Sequence, residues 1–337
     1  MIREAISTVV MRGDLTEQQA TAVMEEIMSG EATPAQFGAF VTALRLKGET
    51  VDEITGMARV MRAKSHHVEC GGSVLDTCGT GGDASGTFNV STAAAFVAAA
   101  AGARVAKHGN RAMSSQCGSA DVLEALGAKI DLSPEEAALC LEQTGFCFMF
   151  APRFHPAMRF AAAPRREIGI RTVFNILGPL CNPAGASRQV LGVAEKGLGD
   201  KMAQALSRLG CDHAIIVHGE EGLDELSPNG ASAVWEVKNG GVTSFEIVPS
   251  DAGLPAHPLS AVVGGTAAEN AESLRSVLGG QRGALRDFTL LNAAAALLAF
   301  GLVADLKVGV KKAAAAIDNG GAREKLERFI EVSNAAG

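Results

Sequence analysis

The sequence predicts an α/β protein in which a small helical part leads into a larger α/β part. Two observations carry this. The first 65 residues hold three helical patterns, each with its own start signal, and no strand-like run. From Gly71 onward, short apolar runs alternate with helical stretches, and a strand, helix, strand succession implies a parallel or mixed sheet. At 337 residues the chain can bury one large core or two unequal ones.

The elements follow in order. Thr16 with Gln19 fits a capping box, and Ala20, Val23, Met24 and Ile27 recur at helical spacing behind it. Thr33 with Gln36 is a second box, with Pro34 at the first helical position, and Phe37, Phe40, Val41 and Leu44 line one face. Thr50 with Glu53 opens a third helix bearing Ile54, Met57, Ala58 and Met61. Residues 73–76 form a short strand-like run ending in glycines, 89–101 an Ala-rich helix, and 104–107 the next strand. Ser133, Pro134 and Glu136 start another helix. Residues 214–218 read as a buried strand, and 235–248 as a hairpin turning at 239–241. The tail is helical over 290–303, 308–317 and 322–332, with Leu326, Phe329 and Ile330 on one face of the last. The expected division is a helical domain over 1–70, joined by part of 168–190, and an α/β domain over 71–337.

Composition removes several function classes. The net charge is −7, whereas a protein gripping nucleic acid along its phosphates carries a basic domain or stripe. Seven cysteines, an odd number with no CxxC pair, argue for reduced thiols over a disulfide framework or a zinc site. The longest apolar run, 290–304, is interrupted by Asn292 and falls short of the ~18 residues of a membrane span. The N-terminus lacks an apolar core of signal-peptide length. A cytoplasmic protein is expected, without membrane or nucleic-acid partners.

Five segments carry chemistry. Residues 76–83, DTCGTGGD, put three glycines after a strand, which lets backbone N–H groups approach a ligand; a plain strand-to-helix turn reads equally well. Residues 89–92, NVST, precede the Ala-rich helix, as an ordinary cap or as a phosphate site at a helix N-terminus. Residues 107–115 pack Lys107, His108 and Arg111 around Gly109, with Ser114 and Ser115 after them; such donors suit a multiply charged anion, or a solvated basic loop. Asp224 and Glu225 can hold Mg²⁺ through oxygen ligands, or be a surface acid pair. Between His155 and Arg166, an arginine can fork onto a carboxylate, or form a surface ion pair.

The runs DTCGTGGD, NVST, KHGNRAMSSQCGSADVLEALG, HPAMRFAAAPRREIGIRTVFNILGPLCNP and GLDELS stand in an order and spacing that resembles anthranilate phosphoribosyltransferases of tryptophan biosynthesis. The resemblance spans the N-terminal helices nearly to the C-terminus. KHGNR alone is shared with pyrimidine nucleoside phosphorylases, and the combination is far more specific. The resemblance implies the nucleoside phosphorylase/phosphoribosyltransferase type of fold, with a mixed, mostly parallel central sheet, and a homodimer. It implies transfer of phosphoribosyl from 5-phosphoribosyl 1-pyrophosphate to the amine of anthranilate, with Mg²⁺ as cofactor.

By motif match, Gly79, Gly82, Asp83, Thr87, Asn89, Val90, Ser91 and Thr92 would hold the phosphoribosyl donor. So would Lys107, His108, Gly109, Asn110, Arg111, Ala112, Met113, Ser114, Ser115 and Ser119. Gly79, Asn110 and Arg165 would contact anthranilate. Ser91, Asp224 and Glu225 would bind Mg²⁺. Arg166 beside Arg165 leaves the register of that pair open, and Cys181 stands where the family has Thr. The expected chemistry is dissociative, with Lys107 and Mg²⁺ offsetting charge on the departing diphosphate and His108 at the site. No GxSxG elbow points to a covalent intermediate. Two rivals are a pyrimidine nucleoside phosphorylase, which is longer, and a nucleic-acid-binding relative, which would show a basic groove.

Overall fold

The structure is a computed structural model that describes residues 1–112 and 116–335. Four helices come first: α1 (Ile2–Val10), α2 (Glu17–Ser29), α3 (Pro34–Lys47) and α4 (Val51–Ala63). The capping boxes at Thr16, Thr33 and Thr50 are all formed, each Thr accepting from the backbone N–H three residues on. Their apolar faces meet in one core containing Met24, Phe37, Phe40, Ile54 and Met57.

The α/β part follows as β1 (Leu75–Gly79), α5 (Val90–Ala100), β2 (Val105–Gly109), α6 (Ser119–Ala125), α7 (Pro134–Thr144) and β3 (Phe146–Phe150). The chain then passes through α8 (Ala151–Phe154), α9 (Arg159–Ile168) and α10 (Phe174–Leu177). It re-enters the sheet with β4 (Arg188–Gly192), α11 (Gly199–Arg208), β5 (His213–Gly219), β6 (Ser232–Lys238) and β7 (Gly241–Ile247). Four helices end it: α12 (Ala267–Leu278), α13 (Ala284–Phe300), α14 (Leu306–Asp318) and α15 (Gly321–Ala335).

The seven strands lie in the order β3-β2-β1-β4-β5-β6-β7. The first five are mutually parallel, and β6 and β7 are antiparallel additions. The sheet is therefore mixed and mostly parallel. The expected hairpin is β6–β7, turning on Asn239 and Gly240, both at positive φ.

Each face of the sheet has its own core. One is built from α5, α13, α15 and residues such as Phe96, Phe146 and Phe329. The other joins the N-terminal helices to α10, α11 and the apolar side of β4 and β5 through Phe174, Leu177, Leu191 and Ile216. The segment after β3 thus returns to the helical part because Phe174 stacks near Phe37, with centroids 5.5 Å apart. The strand expected at 104–107 ends two residues later, and that expected at 73–76 lies at 75–79.

Candidate active site

The sheet changes winding direction between β1 and β4: β1 connects through α5 to β2 on one side, and β4 through α11 to β5 on the other. Open α/β sheets bind ligands outside the C-terminal ends of their strands at such a point. Gly79 ends β1, Gly192 ends β4, and the two are paired in register. Both ends are glycine because the segment carrying Asp224 crosses them. A Cβ on Gly79 would overlap Asp224 Oδ2, and one on Gly192 would overlap the Asp224 carbonyl.

Beyond β1, Thr80 is pinned by its N–H to Gly192 O (2.9 Å) and by its Oγ1, which accepts from Ala194 N (3.1 Å). Gly81 N donates to Asp224 Oδ2 at 2.7 Å. Gly81 and Gly82 have φ of 64° and 76°, a region open to glycine at little cost. Asp83 accepts from Ser85 Oγ (2.6 Å), which lies 3.2 Å from Thr87 Oγ1. Thr87 bridges to Val263.

Asn89 sits at the N-cap of α5 but does not cap it. Its Nδ2 donates to Cys117 O (3.1 Å), while its Oδ1 and the Thr92 Oγ1 are buried without partners among the described residues. Buried polar atoms are normally hydrogen-bonded; here the Asn89 Oδ1 suits a hydroxyl donor and the Thr92 Oγ1 either role. The first-turn N–H groups and the positive end of the helix dipole are what favour an anion.

Lys107 on β2 is 2 % exposed. Its ammonium donates to the Thr77 carbonyl and to Ser91 Oγ (3.1 Å). Burial lowers its pKa, opposed by Asp76, Cys78, Glu225 and Asp224. Lys107 is thus a buried counter-charge beneath the acidic residues that also orients Ser91. Asp76 is fully buried and acts as a strut. It accepts from His108 N (3.1 Å) and from Asn182 Nδ2 (2.8 Å), which also reaches Ala106 O (2.8 Å).

The adjacent residue, His108, faces the other way. Its ring lies 5.0 Å from that of His155, at 53° between planes. The carbonyls of Gly178 and Cys181 face the His108 and His155 rings respectively, and both Nε2 atoms are buried without partners among the described residues. Burial pushes His108 down to about 3 and His155 to about 4, so both rings are neutral near pH 7. A neutral imidazole with its Nδ1 held by a carbonyl offers Nε2 as a hydrogen-bond acceptor.

Asp224 and Glu225 are half-buried on the loop after β5. Burial first, and then the like charge of Asp83, pushes Asp224 up to about 7. Burial and Asp224 push Glu225 well above the usual carboxylate range, against the pull of Lys107. The like charges of Asp83, Asp224 and Glu225 raise one another beside the glycine loop, an electrostatic setting that a cation held by the 224–225 pair would relieve.

The remaining candidates divide. Asn110 O accepts from Ala120 N (3.2 Å) and Ser119 Oγ (3.4 Å), closing the loop onto the start of α6. A Cβ on Gly109 would overlap Ser119 Oγ. Asp121 Oδ2 gathers Ala112 N and Gly118 N, each at 2.9 Å, so it shapes this loop although the sequence reading passed over it. Arg111 turns outward to Glu124 (2.6 and 2.8 Å) and Asp121 (3.1 Å). Met113, Ser114 and Ser115 lie outside the described residues. On α9, Arg165 is half-buried over the Phe174 ring (5.4 Å), and Arg166 is exposed. Among the described residues the Arg165 guanidinium has no hydrogen bond and no carboxylate partner, and burial lowers its pKa. His155 was within a segment marked by sequence, but only its pairing with His108 across 47 residues gives it a place in the site.

Comparison with known proteins agrees with this geometry. Residues 3–65 match the helical bundle domain of the glycosyl transferase family, and 71–323 match its a/b domain. The anthranilate phosphoribosyltransferase of Chloroflexus aggregans is 59% identical over 334 residues, which cover 98% of each chain. The structure of anthranilate phosphoribosyltransferase from Thermus thermophilus superposes with a TM-score of 0.93 at 44% identity, covering 98% of this chain and 99% of that one. The enzyme from Saccharomyces cerevisiae, solved with PRPP and Mg, superposes at 0.92 and 30% identity, covering 99% and 98%. Identity at this level along nearly the whole of both chains places this chain in the anthranilate phosphoribosyltransferase family.

Proposed function

We infer that this chain transfers the phosphoribosyl group of 5-phosphoribosyl 1-pyrophosphate to the amine of anthranilate. The products are N-(5-phosphoribosyl)anthranilate and diphosphate, a step of tryptophan biosynthesis. The observation that carries the reading is convergence. The glycine loop, the uncapped start of α5 and the 224–225 acids meet where β1, β4 and β5 end. The yeast relative is solved with PRPP and Mg, and also with 4-fluoroanthranilate.

Within that site, Gly79, Gly82, Asp83, Thr87, residues 89–92, Lys107, residues 109–115 and Ser119 would receive the donor, whereas His108, leaving the opposite face of β2 toward His155, would serve the acceptor. The α5 N–H groups and the unpartnered Asn89 Oδ1 and Thr92 Oγ1 support this. Arg165 would take the carboxylate of anthranilate, as a half-buried cation with no acid of its own. His108 and His155 line the same acceptor side, and among the described residues neither Nε2 has a hydrogen-bond partner. They can accept from the aromatic amine and keep its lone pair directed at ribose C1. Near neutral pH they stay uncharged, so they orient the nucleophile without repelling a carbon that develops positive character.

Mg²⁺ fits the donor set. Among the described residues no three acids, cysteines or histidines converge as a ready-made metal cage. Mg²⁺ asks for less: one or two carboxylates, with waters and substrate phosphates completing its shell. Asp224 and Glu225 would hold it, with Ser91 oriented by Lys107. Bound there, it supplies counter-charge for the diphosphate.

A homodimer is also part of the reading, supported by Val10 and Met11 at the end of α1 and Leu46 on α3, which are 60%, 82% and 74% exposed. Among the described residues no helix is long and apolar enough to cross a membrane. Activity in the cytoplasm is the setting in which this substrate pair is expected. The domain division is taken at 70/71, with part of 168–190 packed on the helical side. Mixing the protein with the donor, Mg²⁺ and anthranilate and following anthranilate fluorescence tests the reaction. Loss that needs all three supports it, and phosphorolysis of thymidine instead would favour the nucleoside phosphorylase rival.

A further inference from the structure

The linking segment between α9 and α10 places a cation on the glycine loop. Gly169 ends α9 in the left-handed conformation, and Asn175 Oδ1 accepts from Thr172 N (2.9 Å) at the start of α10. Between these fixed points stands Arg171. Its Nη2 reaches the Thr80 carbonyl at 3.4 Å. Its guanidinium also occupies the space over Gly82 where a side chain would start: a Cβ there would overlap Nη1 and lie 2.6 Å from Cζ. Arg171 is half-buried, and among the described residues no carboxylate lies within ion-pair distance of it.

We propose that Arg171 is a positioning residue that holds the glycine loop in its donor-receiving shape and ties that shape to the helix carrying Arg165. The inference rests on the assignment of this loop to the phosphoribosyl donor. Three holds then define the loop. The Thr80 backbone is anchored to Gly192. The Gly81 N–H is held by Asp224. The Gly82 turn is backed by Arg171. The first two come from the sheet and the loop after β5. The third comes from the acceptor side, since Arg165 and Arg171 flank the C-terminus of one helix. A guanidinium suits this position because its rigid plane can donate to a carbonyl and cover a glycine at once. Gly82 is then glycine chiefly for its φ of 76°, and any side chain there would have to displace the Arg171 guanidinium from the loop.

The test is calorimetric binding of phosphoribosyl pyrophosphate with Mg²⁺ to wild type, Arg171→Ala, Gly82→Ala and the double variant, with melting temperatures and steady-state kinetics alongside. Loss of a charge-assisted hydrogen bond is expected to weaken donor binding by about tenfold or more. The donor KM should rise with it, while kcat stays within about threefold and the melting temperature holds. The strain of alanine at positive φ is common to both backgrounds, so the cycle isolates the Arg171–Gly82 contact. The losses should therefore be less than multiplicative, because Gly82→Ala has no plane to strike once Arg171 is gone. Arg171→Met, which keeps the stem, replaces Arg171→Ala if that variant is unstable. Losses that multiply, or donor binding within twofold of wild type in Arg171→Ala, overturn the inference. Asp83→Ala separates the two failures. If it too leaves donor binding intact, the loop assignment itself fails; if it weakens binding and Arg171→Ala does not, only Arg171 loses its role.

Discussion

Asp224→Asn should stabilise the metal-free protein and do so only where Asp224 would be ionised. In the fold the carboxyl is pushed from 3.8 up to about 7, by burial and by Asp83. A carboxyl raised in the folded state contributes most to stability below pH 3.8, where it is neutral in both states. That contribution is lost as pH rises through the window up to about 7, and above it the full penalty of the ionised form remains. The span from 3.8 to about 7 corresponds to about 4 kcal/mol. Asp83 and Glu225 share the repulsion and water reaches the half-buried group, so one neutral replacement should recover about 2 kcal/mol. Asparagine keeps the shape of the protonated acid: its Oδ1 can still accept from Gly81 N–H, and its Nδ2 can face Asp83. For a chain of this length 2 kcal/mol is about 3 °C in melting temperature. Calorimetric melts of both proteins in chelator should show the gap opening between about pH 4 and pH 7 and level above pH 8. Adding Mg²⁺ at pH 8 should raise the melting temperature of wild type and leave the variant where it was. A gap independent of pH, or a variant less stable at pH 8, would refute the argument that these acids are held at a cost in the free protein.

Three further outcomes follow from the same geometry. Arg165→Ala should raise the KM for anthranilate by about 10- to 100-fold, the worth of a charge-assisted hydrogen bond, whereas exposed Arg166→Ala should change it less than twofold. His108→Phe should weaken anthranilate about tenfold by removing one acceptor, with donor affinity from calorimetry unchanged. Because His108 and His155 titrate near 3 and 4, the pH profile of kcat/KM should carry no step from either between pH 6 and pH 9. Lys107→Met should lower stability by about 3 kcal/mol, read from urea midpoints, because Asp76 and Glu225 lose their buried counter-charge.

Local chemistry made much of this legible in the sequence, and long-range contact hid the rest. Thr16, Thr33 and Thr50 announce their helices because a capping box is complete within four residues. β3, FCFMF, is buried along most of its length and shows no polar alternation, so periodicity gives it nothing to display. α9 carries Pro164 inside it, which masks its helical pattern. The glycine loop is visible as glycines, but the reason for Gly79 and Gly192 is Asp224, placed on them by the fold. The choice between Arg165 and Arg166 needs the phase of α9, which buries Ala161 and Pro164 and so turns Arg165 toward Phe174.

The run KHGN sends its two basic side chains to opposite faces of the sheet. Successive side chains on a strand leave opposite faces of the sheet. Once 105–109 is a strand, Lys107 and His108 cannot serve the same ligand surface. Lys107 goes to Thr77 and Ser91 on the side of α5, where the donor's charge is handled. His108 goes to Gly178 and His155, on the side shared with the helical domain and Arg165. In the proposed site a single strand end would therefore feed both halves of the reaction. Arg171 repeats that arrangement from the other direction, running from the acceptor helix to the donor loop. Two crossings of this kind, one through β2 and one through Arg171, make the relative placement of amine and ribose a property of the rigid sheet and its linker. That placement is what a reaction driven by positioning and charge requires.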